Sequence, residues 1–539
     1  MRSVTAIRSV GVLLLSLLFF FGWECESGVA TTMSSQASGA QTKSQAAPVA
    51  QPPGKAPSDT SPPPQKVPGA SPDFRAATPE KVGLQQAVRS SFFARAISEY
   101  TENLKPNQGG IVWLAVVVTA LVAFNFRTLV SLRNLDLLLI LAPTFLMIDM
   151  IRFSNVNDPA KFSLAGYVFL GIYLCTVALF IRAMWGAFAS EKTWAPNLSA
   201  RALAGLMLLL LACNAVLAIA RNPDDCGIYT NIGAKRMLET GKYPYGDPLL
   251  RGGAAATYGP ILYFAHMPFQ LILPTPKADS QQEARTASNP FPFIPPPLLA
   301  TKLTLLFFHL LGIAALAAIG RRLGGPAVGW GLVCLYIGSA YVQGIGGEKW
   351  VVGGMAFISH IAPAAVTLLA FACLNRPLWA GVWLGIAAGV LFYPAFFFPL
   401  WFGYYFWKRA GWLKFTVGFA VVCLLIGASV MLLTQTGENE SVFRVIYEST
   451  IGHQESPTQY GSSTFSFWGT HPRVAGILQQ PLIAGWYLLK PLFMLFVVFL
   501  GASFFMAKGR TITQLAFLTA AVAIAIQLWK SHADRKSVV

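Results

Sequence analysis

Eleven apolar runs, each 16 residues or longer, decide what this chain can become. They lie at 111–126, 135–151, 164–186, 202–220, 299–319, 326–343, 355–374, 378–407, 415–433, 491–507 and 512–529. A helix of roughly 20 residues, or a shorter run in a thinner stretch, crosses about 30 Å of hydrocarbon. In lipid the backbone has to satisfy its own hydrogen bonds, so the runs predict an all-α polytopic membrane protein. The 378–407 run is too long for one span. Tyr393-Pro394 interrupts it, which predicts two short helices meeting at a hairpin. That makes about twelve membrane helices after any N-terminal one, 12–13 in all.

Composition agrees. Of 539 residues, 54% are hydrophobic and 12% charged, against about 25% charged in soluble domains. The net charge of +17 reads as topology rather than nucleic-acid binding, because the cations fall between apolar runs and no basic-aromatic module occurs. The seven cysteines are scattered without a CxxC, which argues against a zinc site or disulfide framework. Cys175, Cys213, Cys334, Cys373 and Cys423 lie in apolar runs and read as packing residues.

Residues 1–30 combine Arg2 and Arg8 with the apolar stretch 10–23, the pattern of a signal peptide or a retained anchor. Either puts the next segment outside. A start at Met33 is a third reading. Residues 31–108, rich in Pro, Ser and Ala, are expected to form an external linker without a core of their own. Residues 109–200 hold additional membrane helices, 201–530 the main membrane domain, and 531–539 a tail.

Orientation follows from lysine and arginine. With the N-terminus in the cytoplasm, the loops at 127–134, 182–201, 320–326, 375–377, 408–414 and 507–511 are cytoplasmic. They hold thirteen cations, including Arg133, Arg182, Arg322, Lys414 and Arg510, against six in the shorter external loops. The bias sets the topology and leaves two long external loops, 221–298 and 434–490. Loops of that size are where function collects.

The first loop opens with Asp224-Asp225 at the end of run 202–220. A solvated helix end is the plain reading; adjacent acids in a half-buried site would disfavour joint ionisation. Apolar residues at 228, 232, 234, 237 and 238 predict an amphipathic helix on the membrane surface, ended by Gly241. Tyr243, Pro244 and Tyr245 read as an interfacial anchor. Thr257–Leu273 reads as a second interfacial helix.

The order is helix, Asp225, Tyr229 four residues on, interfacial helix, Gly241-x-x-Pro244-Tyr245, then Tyr258-x-Pro260. It resembles the GT-C membrane glycosyltransferases, most of all the bacterial mannosyltransferase-like branch that uses polyprenyl-phosphate sugars. The resemblance covers roughly 200–530. It departs from the pattern at Cys226-Gly227 and in a Pro-rich insert at 274–297. It implies an inverting hexosyltransferase with a polyprenyl-phosphate sugar donor and a lipid, glycan or protein acceptor, in the bacterial inner membrane with its active loops extracytoplasmic. Asp225 would be the base that takes the acceptor proton, with Asp224 as alternative base or partner. Tyr229, Tyr245 and Tyr258 would bind substrate. No cofactor is implied; metal dependence is open, since two acids could hold a divalent cation, although hard cations take more oxygen ligands than the sequence identifies.

The second loop is polar and aromatic. Arg444, His453 and Arg473 could hold the donor phosphate. Glu455 and Trp468 could line a sugar pocket, with Trp468 stacking on the ring. Within the spans, His360 and His309 are ionisable and so candidates, a carbonyl-bonded neutral histidine being the ordinary alternative. Two other classes compete: a transporter or lipid flippase, and a non-catalytic partner in envelope assembly. Transporters carry repeats and mid-membrane charge. Here the polar residues gather in loops, and a scaffold does not account for the loop motif.

Overall fold

The computed structural model describes residues 108–153, 159–189, 194–220, 223, 225–250, 254–273, 299–344, 357–437, 440–449 and 485–530, and all its described elements are helices. They are α1 (Gln108–Ala123), α2 (Leu132–Phe153), α3 (Pro159–Phe188), α4 (Ala200–Ala220), α5 (Asp225–Thr240), α6 (Pro260–Ile272), α7 (Leu299–Gly324), α8 (Pro326–Ile337), α9 (Ala340–Gln343) and α10 (Ile358–Ala372). There follow α11 (Pro377–Val390), a 3-10 turn (Tyr393–Phe397), α12 (Phe398–Trp407), α13 (Trp412–Leu433), α14 (Val442–Tyr447), α15 (Gly485–Met506) and α16 (Ile512–Lys530). Three described helical stretches, Leu170–Phe188, Leu299–Gly324 and Trp412–Leu433, are long and apolar enough to cross a membrane, and several shorter helices are equally apolar. The segments expected as N-terminal anchor, linker, Pro-rich insert and tail lie outside the described residues.

Small residues are buried at close helix contacts and many large apolar ones are left exposed, as expected where lipid removes the hydrophobic drive between helices. On α13, Leu424, Leu425 and Leu432 are exposed. On α16, Ala516, Ala520 and Ala521 are fully buried. Gly381, Gly385 and Gly389 form a four-residue repeat along α11. A side chain at Gly381 would strike the Phe415 carbonyl, one at Gly385 the Val422 side chain, and one at Gly389 the Ile426 side chain. Contacts that climb both helices together make α11 and α13 parallel. The intervening α12 packs along α15, where Trp407 Nε1 donates to the Phe504 carbonyl at 3.0 Å, and also meets α13 through ring pairs such as Phe398–Phe419. The break expected at Tyr393-Pro394 is present, and its two halves lean mainly on different neighbours.

Run 326–343, read as one helix, is two. Gly338 ends α8, and a side chain there would meet Val118 of α1; the Ser339 hydroxyl then caps α9 by accepting from Val342 N. α7 and α8 form a tight hairpin through Gly325 (φ 84°) and Pro326, with the backbones of Gly320 and Gly329 nearly touching. Between α2 and α3, Asp136 and Arg182 make a bidentate pair at 2.7 and 3.0 Å. Arg182, expected in a loop, is therefore within a helix. A carboxylate removed from water needs such a partner.

Contacts gather the helix ends predicted to be cytoplasmic at one end of the bundle. Arg322 reaches the Ala372 carbonyl, Gln514 the Ala189 carbonyl at 3.3 Å and Asn197 the Phe124 carbonyl at 2.8 Å. The cations there lie over aromatic rings: Arg321 on Trp330, Lys508 on Trp407, Arg510 on Phe188. The opposite end carries α5 and α6. Of the cysteines, Cys334 is buried as expected, Cys213 is exposed, and Cys226 is fully buried.

Candidate functional site

α5 begins at Asp225 directly after α4, and the structure describes the backbone of Asp225 but not its side chain. The helix is longer than the spacing predicted and buries a face that shares only Ala234 and Met237 with the predicted one. Cys226, Tyr229, Thr230, Asn231, Gly233, Ala234 and Met237 are buried, whereas Ile228 and Ile232 are half-buried and Leu238 is exposed. Apolar spacing misjudged this face because two of its members are polar. Gly233 lies so close to the Tyr263 ring that a Cβ would collide with it. Thr230 donates to the Cys226 carbonyl at 2.7 Å, and Asn231 accepts from Gln270 of α6.

His266 on α6 closes this interface. Its Nδ1 bonds the Leu262 carbonyl at 2.8 Å, leaving Nε2 3.5 Å from the Thr230 hydroxyl. Burial pulls the imidazole down to about 4. At Gly241 (φ 68°) the chain takes the left-handed turn that ends α5, as its glycine predicted.

The segment Tyr243–Asp247 is not an interfacial anchor. Tyr243 and Tyr245 are 0% and 1% exposed and pack inside the protein. Tyr243 N donates to the Leu433 carbonyl at 2.9 Å, and Gln435 N to the Tyr245 carbonyl at 3.2 Å. The Tyr243 hydroxyl meets Ser429 at 3.1 Å. Gly246 (φ 72°) lies so close to the Gln435 carbonyl that no side chain would fit. These contacts clamp the first loop onto the end of α13, where the second loop begins. Asp247, fully buried, is held by Arg236 at 3.0 Å, by Leu249 N at 2.9 Å and by Gln435 at 3.4 Å. Neither Arg236 nor Asp247 stands out in the sequence. Their spacing of eleven residues spans a helix end and a turn, which no periodicity marks.

Tyr245 and Tyr258, expected as substrate contacts, bond one another: the Tyr245 hydroxyl donates to the Tyr258 carbonyl. Tyr258 N donates to the Tyr263 hydroxyl at 3.2 Å, which itself donates to the Ala255 carbonyl at 2.8 Å. Burial raises the phenols of Tyr243, Tyr245 and Tyr263, so they stay neutral. In the Tyr258-x-Pro260 element the middle residue is Gly259. Its Cα abuts the carbonyls of Gly389 and Val390 at the end of α11, while Pro260 starts α6. Tyr229 is 1% exposed and packs with Leu250 and Ala255.

Below this layer Cys226 packs with Leu262 of α6, Leu305 and Phe308 of α7, Ile358 and Ile361 of α10 and Val390 of α11. The Thr301 hydroxyl of α7 donates to the Gly227 carbonyl at 3.4 Å. Lys302, the next residue, is 6% exposed. It is a buried ammonium in the helical turn that touches the start of α5, and sequence reasoning passed over it as one lysine at the start of an apolar run. Arg444 lies in α14, exposed, paired with Glu448 at 2.7 Å. Asp224, His453, Glu455, Trp468 and Arg473 lie outside the described residues. Among the described residues no group of three or more His, Cys, Asp or Glu side chains could hold a metal ion.

A scan against protein-family models finds no match, and searches of the curated proteins and of the solved structures find none.

Proposed function

We propose that the protein is a membrane glycosyltransferase of GT-C type, with about twelve crossings. It moves a hexose from a polyprenyl-phosphate donor to a lipid, glycan or protein acceptor at the extracytoplasmic face of a bacterial inner membrane. One observation carries the reading. The three separated elements on which the resemblance rests, Asp225/Tyr229, Gly241-x-x-Pro244-Tyr245 and Tyr258-x-Pro260, fold into a single packed unit. That unit is tied together by the Tyr245–Tyr258 hydrogen bond and seated on the ends of α7, α10, α11 and α13.

In this reading Asp225 takes the proton of the acceptor hydroxyl while that oxygen bonds the anomeric carbon. The bond from that carbon to the phosphate oxygen breaks with inversion, and the lipid phosphate leaves with the electron pair. Phosphate needs no strong acid to depart. It needs cations, and Lys302, Arg444, His453 and Arg473 are the candidates; Lys302 follows Thr301, whose hydroxyl reaches the Gly227 carbonyl in the first turn of α5. A helix start, with its unpaired amides, favours an acid at its first turn.

The test is transfer from radiolabelled polyprenyl-phosphate hexoses to endogenous acceptors in membranes, comparing the intact protein with Asp225→Asn and Asp224→Asn at matched expression. The expected result is transfer that Asp225→Asn lowers by 100-fold or more, on the order of what a general base contributes. Loss with Asp224→Asn alone would move the base by one residue. No transfer from any donor would sink the reading in favour of a transporter or an assembly partner.

A further inference from the structure

A second polar centre lies inside the bundle, around the break between α8 and α9. Six neutral side chains from α4, α7, α8, α9 and α10 meet the chain there, each at most 3% exposed. Asn214 Nδ2 donates to the Leu210 carbonyl at 3.0 Å and to the Ile337 carbonyl at 3.4 Å. Gln343 Nε2 donates to the same Ile337 carbonyl at 2.6 Å. His309 Nδ1 pairs with the Tyr336 hydroxyl at 2.9 Å, and His360 Nδ1 with the Tyr341 hydroxyl at 2.7 Å.

Three atoms of this network are buried without a protein hydrogen-bond partner: Asn214 Oδ1, His309 Nε2 and His360 Nε2. Such groups destabilise a fold when left unsatisfied. Irregular backbone at membrane depth is tolerated where it lines a polar or hydrated cavity. The two histidines also lie at similar depth. α7 and α10 run parallel, with Gly312 against Ala365 and Arg322 at the Ala372 carbonyl. His309 precedes Gly312 by three residues and His360 precedes Ala365 by five, an axial offset of about 3 Å at ~1.5 Å per residue. Where the tyrosine donates to Nδ1 the neutral imidazole carries its proton on Nε2, and where Nδ1 donates to the tyrosine Nε2 is left as an acceptor. The open groups are then one fixed acceptor, Asn214 Oδ1, and two nitrogens that donate or accept by tautomer.

We propose that the α8–α9 break is an enclosed site for small neutral hydrogen-bonding matter, bounded by Asn214 Oδ1, His309 Nε2 and His360 Nε2. Ordered water is its simplest occupant, since a buried water takes two to four polar partners. The hydroxyl of a larger polyol or lipid is the same chemistry from another source. A neutral network offers an ionic ligand no counter-charge and so favours a neutral occupant. The proposal stands apart from the glycosyltransferase reading, because none of its residues belongs to the α5–α6 unit.

The experiment is a double-mutant cycle on the full chain in detergent, with His309→Leu and His360→Phe, together with a high-resolution map of the unaltered protein. The expected result is coupling: the double variant's loss of Tm departs from the sum of the singles by about 3 °C or more, although the histidines do not bond each other. The map would show density within about 3 Å of the Nε2 atoms. Isolated peaks mean water, and extended density means a hydroxylated ligand. Additive shifts with no such density overturn the proposal. If the variants fail to fold, the map alone decides, and featureless space beside both Nε2 atoms overturns it.

Discussion

Asp247 shows how much one side chain can hold at the loop end of the bundle. It is fully buried, and its ion pair with Arg236 ties α5 to the turn that follows, while Gln435 ties that turn to the second loop. Removing one member leaves a buried charge without its counterion. Arg236→Met is therefore expected to destabilise by about 3 kcal/mol, read as a lowered Tm of the purified protein, while Glu239→Gln, which removes only an exposed contact of Arg236, should be near neutral. His266 gives a pH dependence. Its folded-state value is about 4 against 6.5 for a free imidazole. Between those values the unfolded chain binds the extra proton, so the histidine's contribution is intact above pH 6.5 and is lost as pH falls toward 4. The loss is roughly 3 kcal/mol at most. Tm measured from pH 7 to pH 4 should fall less steeply in His266→Gln, and parallel curves would remove His266 as the cause.

Among the elements, α11 and α13 give the clearest case of helices that meet because side chains are missing. A Cβ at Gly381 would strike the Phe415 carbonyl, and one at Gly418 the Leu378 carbonyl, whereas Gly427, also on α13, has nothing within 4 Å. Gly381→Leu is expected to push the pair apart and cost several kcal/mol, above the ~1–3 kcal/mol of ordinary overpacking because the obstacle is backbone. Gly427→Ala should be neutral or stabilising by up to about 1 kcal/mol, since it only raises helix propensity. Thermal melts of the two purified variants check both signs. Because Gly259 rests on the end of α11, spreading this pair should also tilt α6 and the Tyr258 turn.

For the whole molecule the arrangement is polarised. One end gathers Arg133, Arg321, Lys508 and Arg510 over aromatic rings and Arg322 at the Ala372 carbonyl, and the other gathers α5, α6 and the clamp at 243–247. Positive-inside logic puts the first end in the cytoplasm. A membrane-impermeant maleimide should then label Lys242→Cys in intact cells, with the native cysteines replaced, and label Lys414→Cys only after the membrane is opened. Both positions are exposed in the structure. The reverse pattern would invert the topology and remove the extracytoplasmic site with it.

The sequence by itself determined that the chain is helical and apolar, where nearly every helix runs, and that Gly241 and Pro394 interrupt the chain. These follow from local physics: apolar run length, a left-handed φ that glycine accepts, a missing backbone donor at proline. It placed the start of α5 at Ile228, three residues after the Asp225 where the helix begins. Tertiary structure alone decided which face α5 buries, because Thr230 and Asn231 turn inward only when His266 and Gln270 are there to meet them. Likewise, Tyr243 and Tyr245 look like headgroup anchors until the end of α13 supplies the carbonyls and amides that draw them inside. Lys302, Asp247 and the histidine–tyrosine pairs were hidden for the same reason. A polar residue in an apolar run acquires its meaning from a partner tens or hundreds of residues away, and no window along the chain contains both.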